Sequence, residues 1–293
     1  MRIEPDRYLS KITRKIGLLP GGKRSVEFLR RYFSKKYRGK GNAMVVIEDY
    51  DGNLRLKFDR STHMGSLIYW NGYASPAELA LLDKILKPGM VFADIGANLG
   101  EFTVYAGKRV KTGKVLAFEP FEPVFKLLLE NIELNHLENV IAFQVGLWNQ
   151  NGELPFYLGS ERDDRSFVYE GWSTAVGGKG SQQISKVKMV VFDDWFEGLQ
   201  ISRLDLMKID TEGAELQMLT GARKSLEKYS PDLIVEICEQ GFNRSGYTSQ
   251  SLLEFLGSLN YEPFLIKRYG VLIPVSYAEV PKQCNVFCRR KSR

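Results

Sequence analysis

The chain has 293 residues, 44% hydrophobic and 26% charged, which are ordinary globular proportions and exclude a disordered or collagen-like polypeptide. Its 41 basic and 35 acidic side chains give a formal net charge of +6, unevenly laid out. Residues 1–40 carry 13 basic and 3 acidic side chains and residues 289–293 carry four basic ones, leaving 24 basic against 32 acidic in residues 41–288.

Residues 1–40 read as a basic helical extension. Tyr8, Leu9, Ile12, Ile16 and Leu19 recur with a helical period among Arg7, Lys11, Arg14 and Lys15. After Leu19-Pro20-Gly21-Gly22 a second set, Val26, Phe28, Leu29, Tyr32 and Phe33, lies among Arg24, Arg30, Arg31, Lys35 and Lys36. Basic amphipathic helices suit an anionic membrane surface; packing on the chain's own sheet or on a second subunit of a homo-oligomer is the alternative. Residues 41–74 come next. Met44-Val45-Val46-Ile47 and Leu54-Arg55-Leu56-Lys57-Phe58 read as strands around Asp51-Gly52, a hairpin dipeptide. His63, Tyr69, Trp70 and Tyr73 follow, where they would cover a ligand or serve as ordinary core.

Residues 75–293 change character. Ser75-Pro76-Ala77-Glu78 starts a helix, with an N-cap, a proline at the first helical position and an acid for a capping box, and Lys87-Pro88-Gly89 ends it. Short, nearly continuous apolar runs near 90–95, 115–118, 140–145, 204–209 and 232–237 then alternate with helical segments near 101–109, 122–135 and 214–228. That rhythm predicts an α/β fold with a mostly parallel sheet and helices on both faces. Residues 151–192 break it, being rich in Gly, Ser and aromatics, and read as an inserted hairpin and loop over one end of the sheet. A helix near 249–259 and strands near 262–267 and 284–289 close the chain. Cys238, Cys284 and Cys288 make no even disulfide framework, and no stretch of 18 apolar residues or signal-peptide core is present. The expectation is a cytoplasmic protein, peripheral on the inner face of the membrane if the basic helices dock there.

The chemistry concentrates in Val91-Phe92-Ala93-Asp94-Ile95-Gly96-Ala97-Asn98-Leu99-Gly100. An apolar strand ends in an acid and enters a glycine-bearing turn that opens a helix, the edge at which such sheets bind ligands. The next strand, Val115 to Phe118, ends at Glu119, near the distance expected for a carboxylate on ribose hydroxyls. A nicotinamide cofactor would require GxGxxG, which is missing, and Asp94 would repel its pyrophosphate. S-Adenosylmethionine has a cationic amino group for Asp94, no phosphate, and a ribose for Glu119.

Asp-Ile-Gly-Ala-Asn-Leu-Gly (94–100) with Thr103, Phe118-Glu119-Pro120, Lys208-Ile209-Asp210-Thr211-Glu212-Gly213-Ala214-Glu215 and Pro231-Asp232-Leu233-Ile234-Val235-Glu236 resemble, in order, the motifs of the FkbM family of S-adenosylmethionine-dependent methyltransferases. The resemblance covers about residues 70–270. It implies the class I methyltransferase (Rossmann-like) fold, a seven-stranded sheet with an antiparallel last strand, and O-methylation of sugars, polyketides or related small molecules. By the same resemblance Asp94, Gly96, Asn98, Gly100 and Thr103 surround the methionine part, and Glu119 with Pro120 holds the ribose. The segment Gln144 to Trp148, with Gln144 and Gly146, covers the adenine, and Tyr73 is a further cofactor contact. Many class I enzymes place an acid where this chain has Gln144.

Methyl transfer to a hydroxyl is an in-line displacement favoured by positioning, to which a general base adds roughly 10²- to 10⁴-fold. Asp210 and Glu236, at the ends of the fourth and fifth strands, are the expected bases, backed by Glu212 and Glu215. Acids at a helix start also favour the dipole, the structural alternative for the latter two. Mg²⁺ held by Asp210, Glu236 and a third oxygen would acidify the acceptor, but no His or Asp-Asn pair supports it and no metal is expected. Trp172, Ser173 and Gly177-Gly178 are expected to line the acceptor pocket. Two other functions compete. A nucleic-acid methyltransferase would use the basic segment, but its amino-methylating branch needs an Asn/Asp-Pro-Pro-aromatic run where this chain has Asp210-Thr211-Glu212-Gly213; with an acidic body, no nucleic acid is expected. A non-catalytic binding protein on the same fold is opposed by Asp94 and Glu119.

Overall fold

A computed structural model describes residues 9–14, 26–27, 30, 43–158, 173–174 and 182–291; most of the basic segment 1–40 lies outside the described residues. The chain divides into two compact units, one with the described residues up to Pro76 and one with those from Ala77 onward.

In the first unit residues 9–14 are helical, and β1 (Met44–Tyr50) pairs antiparallel with β2 (Leu54–Asp59) around Asp51-Gly52. A helix not foreseen in the sequence follows: α1 (His63–Asn71), capped by Thr62, whose hydroxyl accepts from the Gly65 N–H at 3.1 Å. Gly65 and Ser66 near its start are poor helix formers and blur the periodicity. Tyr69 and Trp70 are buried and meet edge-on at 5.3 Å, which is core packing.

The second unit opens within α2 (Pro76–Ile85), a helix that starts at the expected proline. Strand and helix then alternate through β3 (Val91–Ile95), α3 (Glu101–Val110), β4 (Lys114–Phe118), α4 (Glu122–Leu134) and β5 (Val140–Phe143). After β6 (Gly146–Trp148) the insertion contributes β7 (Gly152–Leu158), β8 (Ser173–Thr174) and β9 (Gln182–Val191), followed by α5 (Phe192–Gly198). The chain returns through β10 (Leu206–Ile209), α6 (Glu215–Gly221), α7 (Arg223–Tyr229), β11 (Asp232–Cys238), α8 (Glu239–Arg244) and α9 (Ser249–Ser258). It ends in β12 (Tyr261–Lys267), β13 (Val271–Pro274) and β14 (Gln283–Arg290).

The main sheet has the order β13-β12-β14-β11-β10-β3-β4-β5. Without β13 this is the seven-stranded class I sheet: β3, β4, β5, β10 and β11 run parallel, and β14 runs antiparallel to both β11 and β12. β13 is an eighth, edge strand; its sequence, Val271-Leu272-Ile273-Pro274, has no alternation to announce it and ends in a proline that an edge tolerates. β3 and β10 are buried along their whole length, the reason their sequences read as unbroken apolar runs. The single helix expected over 214–228 is two. A Cβ on Gly221 would overlap the Trp148 carbonyl oxygen, so glycine lets the helix approach β6 closely, and the helical run breaks at the next residue.

The insertion and β6 form a second sheet, β6-β9-β7-β8, in which β7 and β9 pair antiparallel and β6 runs parallel to β9. Phe156, Val187 and Met189 of this sheet pack against Phe121 and Trp148, which seats it beside the segment leaving β4. Trp172, Gly177 and Gly178 lie outside the described residues.

Candidate active site

The site forms where β3, β4, β10 and β11 end. Asp94, on β3, is fully buried. The Thr103 hydroxyl on α3 donates to its Oδ2 at 2.6 Å, while its Oδ1 has no hydrogen-bond partner. Burial pushes the Asp94 carboxyl above its ordinary range, against the lowering effect of Lys208 and Thr103. A buried carboxylate oxygen left unpaired is costly, and a cationic ligand group removes that cost.

The following turn is shaped by close approach. Gly96 adopts φ +74°, and a Cβ there would overlap the Asp210 carbonyl oxygen. Its N–H and that of Ala97 donate to the Phe118 carbonyl at 3.0 and 2.9 Å, and the Asp210 N–H donates to the Ile95 carbonyl at 3.1 Å. Three strand ends are thereby tied together. Asn98 serves the turn itself: its Oδ1 accepts from the Leu99 N–H at 2.7 Å, and its own N–H donates to Glu119 Oε2 at 3.0 Å. Gly100 is the N-cap of α3. Glu119 also accepts from the Phe121 N–H at 2.9 Å, so both carboxylate oxygens are anchored with lone pairs remaining. Burial pushes it up to about 7 despite those two N–H donors.

On the other side of β3, Lys208 is 6% exposed and lies opposite Asp94 in the β10–β3 register. Its Nζ stands 2.9 Å from Asp210 Oδ2 and 4.8 Å from the centre of the Phe102 ring. Burial alone would lower the ammonium, but the charges of Asp210, Asp94 and Glu236 hold it above the ordinary lysine value. Sequence reasoning gave this residue no role. The signal was a lysine inside an apolar strand, Leu206-Met207-Lys208-Ile209.

Asp210, Glu212 and Glu236 each place a carboxylate oxygen within 4.8 Å of the others. Glu212 is held at φ +55°, an uncommon conformation for a residue other than glycine. Glu236 Oε2 is buried with no hydrogen-bond partner. Burial, then the charge of Asp210, raises both glutamates well above the carboxylate range. Three oxygens also meet the smallest donor set for a hard divalent cation, and no His or Cys joins them among the described residues. Glu215 is different. It accepts from the Thr211 and Gly213 N–H groups at 2.7 and 3.0 Å and from the Tyr247 hydroxyl at 3.3 Å, so it organises the loop after β10.

The remaining expected residues are more dispersed. A Cβ on Gly146 would lie 3.5 Å from that of Pro120, so these two adjoin, with Phe121 stacked on Phe156 at 5.6 Å nearby. Gln144, just past β5, is exposed. Tyr73 belongs to the first unit, where its hydroxyl donates to Asp51 Oδ1 at 3.4 Å; His63, at the start of α1, lies in that unit too.

The orphan Asp94 oxygen, the Gly96 turn and the anchored Glu119 fit a ligand with a cationic amino group and a ribose. Comparison with known proteins agrees. The profile of the "Methyltransferase FkbM domain" family matches residues 94–263. "Methyltransferase 1" of Beauveria bassiana is 28% identical over 176 residues, 56% of this chain and 70% of that protein. "Methyltransferase sdnD" of Sordaria araneosa is 30% identical over 169 residues, 50% of this chain and 65% of that protein. "Hexuronic acid methyltransferase AglP" of Haloferax volcanii is 28% identical over 147 residues, 50% of this chain and 55% of that protein. With a family match over more than half its length that takes in Asp94, Glu119, Asp210 and Glu236, the chain belongs to the FkbM family of S-adenosylmethionine-dependent methyltransferases.

Proposed function

We propose that the protein transfers a methyl group to a hydroxyl of a sugar, a glycan or a related small molecule. The observation that carries this reading is the trio Asp210, Glu212 and Glu236 beside Asp94, with Glu236 Oε2 unpartnered. Such a group of carboxylates can orient neutral hydroxyls and take a proton from one of them. Support comes from AglP, whose name gives a hexuronic acid as its substrate.

When bound, S-adenosylmethionine would supply an electrophilic methyl for the acceptor oxygen, its sulfur keeping the electron pair of the S–C bond. Asp94 binds the amino group through its free Oδ1. Thr103 fixes Asp94, and Gly96, Asn98 and Gly100 shape the turn around the methionine part. Glu119 accepts from the ribose hydroxyls, and Pro120, Gly146 and Gln144 border the adenine. Glu236 removes the acceptor's proton, Asp210 and Glu212 orient the hydroxyls, and no metal takes part.

The test is a screen of sugars, glycolipids and mixed RNA and DNA with labelled cofactor. Label on a carbohydrate oxygen is expected, and Glu236→Gln should lower turnover by roughly 10²- to 10⁴-fold with cofactor affinity retained. Label transferred to nucleic acid or to a nitrogen would overturn the reading.

A further inference from the structure

Lys208 rises from a strand whose four residues are all buried, where an ammonium is tolerated only if neighbours neutralise it. Asp94 faces it from the paired position on β3, Asp210 from just past the end of β10, and Glu236 from β11. The charges of Glu119, beyond β4, and of Glu212, in the loop after β10, also interact with it, while Arg244 of α8 acts on Glu212. From α3 the ring of Phe102 covers it at 4.8 Å. A single buried cation thus stands between the carboxylate suited to the cofactor's amino group and the carboxylates suited to the acceptor.

We propose that Lys208 is a positioning residue: its ammonium pairs with Asp210 and, from the register position opposite Asp94, balances the charge that Asp94 offers the cofactor, so that Glu236 is the carboxylate left to receive the acceptor's proton. Asp210 Oδ2 is occupied by Lys208 Nζ at 2.9 Å, whereas Glu236 Oε2 has no partner. The last clause of the proposal rests on the O-methyltransferase reading. The tie between Lys208 and Asp94 does not.

The experiment follows binding of S-adenosylhomocysteine to the full chain by calorimetry across pH, with no acceptor present. Affinity falls on the acid side as Asp94 and Glu119 take up protons, which the Lys208 charge opposes at both. Lys208→Met should move that acid limb upward by at least ~1 pH unit, and Lys208→Arg, which keeps the charge, should leave it in place. Asp210→Asn leaves the ammonium to Asp94 and should move the limb downward; this arm remains decisive if Lys208→Met does not fold. Met and Arg variants that bind more weakly at every pH with the limb unmoved would reduce Lys208 to a packing residue and overturn the proposal, as would an unmoved limb in Asp210→Asn. The base reading fails by a different result, full turnover by Glu236→Gln with acceptor present, wherever the acid limb lies.

Discussion

A carboxylate taken out of water is held by whatever donors the chain or a ligand can offer, and in this site the donors fall short of the acceptors. Glu119 shows the consequence for pH. In the cofactor-free protein its carboxyl is raised from 4.5 to about 7, chiefly by burial. Between those values the folded state keeps the proton that the unfolded chain has released. Its stabilising contribution is therefore full below pH 4.5 and is lost as pH rises through 7. The ceiling is about 3 kcal/mol for a shift of this size. Urea unfolding of the cofactor-free protein should show higher stability at pH 5.5 than at pH 8, and Glu119→Gln should lessen that slope, to which Glu215, raised by burial to about 7, also contributes, even though the glutamine amide can accept only one of the two N–H bonds now made. A variant with the wild-type slope would sink the assignment. The carboxylate trio makes a second prediction at this scale. If Lys208 and the cationic cofactor supply the positive charge it requires, dialysis against EDTA should leave methyl transfer unchanged, and activity restored only by Mg²⁺ or Mn²⁺ would refute this.

Elements show which contacts a sequence can announce. The buried parallel strands and the helices between them were legible because burial on both faces leaves a run such as Val91 to Ile95 that is hard to mistake. Asp94, Glu119, Asp210 and Glu236 were legible for a related reason: each is an acid at the polar end of such a run. What was not legible depends on tertiary approach. α5 and α8, of seven and six residues, are too short to establish a period, and the break between α6 and α7 reflects the Trp148 carbonyl, distant in sequence. Lys208 was passed over because only pairing with β3 brings it opposite Asp94. The Gly221 contact can be tested. Gly221→Ala should cost roughly 1–3 kcal/mol by forcing α6 away from β6, whereas Gly152→Ala, with nothing within 4 Å of the new methyl, should stay within about 0.5 kcal/mol. Equal melting temperatures for the two variants would show that α6 has room to shift.

For the whole molecule, the two basic ends part company. At the C-terminal end Arg289 forms an ion pair with Asp232 at 2.6 Å, Arg290 donates to the Glu227 carbonyl at 2.8 Å and to Ser230 Oγ at 2.7 Å, and Lys291 pairs with Glu262 at 2.9 Å. Each is worth little in stability, yet all three charges face partners within the fold. The N-terminal segment carries 13 basic against 3 acidic residues in 1–40; Arg14 pairs with Asp49 at 3.3 Å and Arg30 with Glu27 at 2.7 Å, and most of its other charges lie outside the described residues. We propose that it docks on anionic lipid, with the acidic remainder of the chain disfavouring any contact beyond that segment. No described helix is long and apolar enough to cross a membrane. Basic side chains near an anionic surface contribute on the order of 1 kcal/mol each, and salt screens them over about 10 Å at 0.1 M. Sedimentation with phosphatidylserine-containing vesicles should carry the protein down at 0.1 M salt and release it at 0.5 M. The informative variant replaces Lys35, Lys36, Arg38 and Lys40 with Gln, because truncation would also remove the buried Ser10, Thr13 and Val26. It should bind at least ~10-fold more weakly if even part of that charge reaches the headgroups. Equal partitioning of variant and wild type, or binding that 0.5 M salt does not weaken, would mean that residues 1–40 serve the protein's own packing or a second subunit instead.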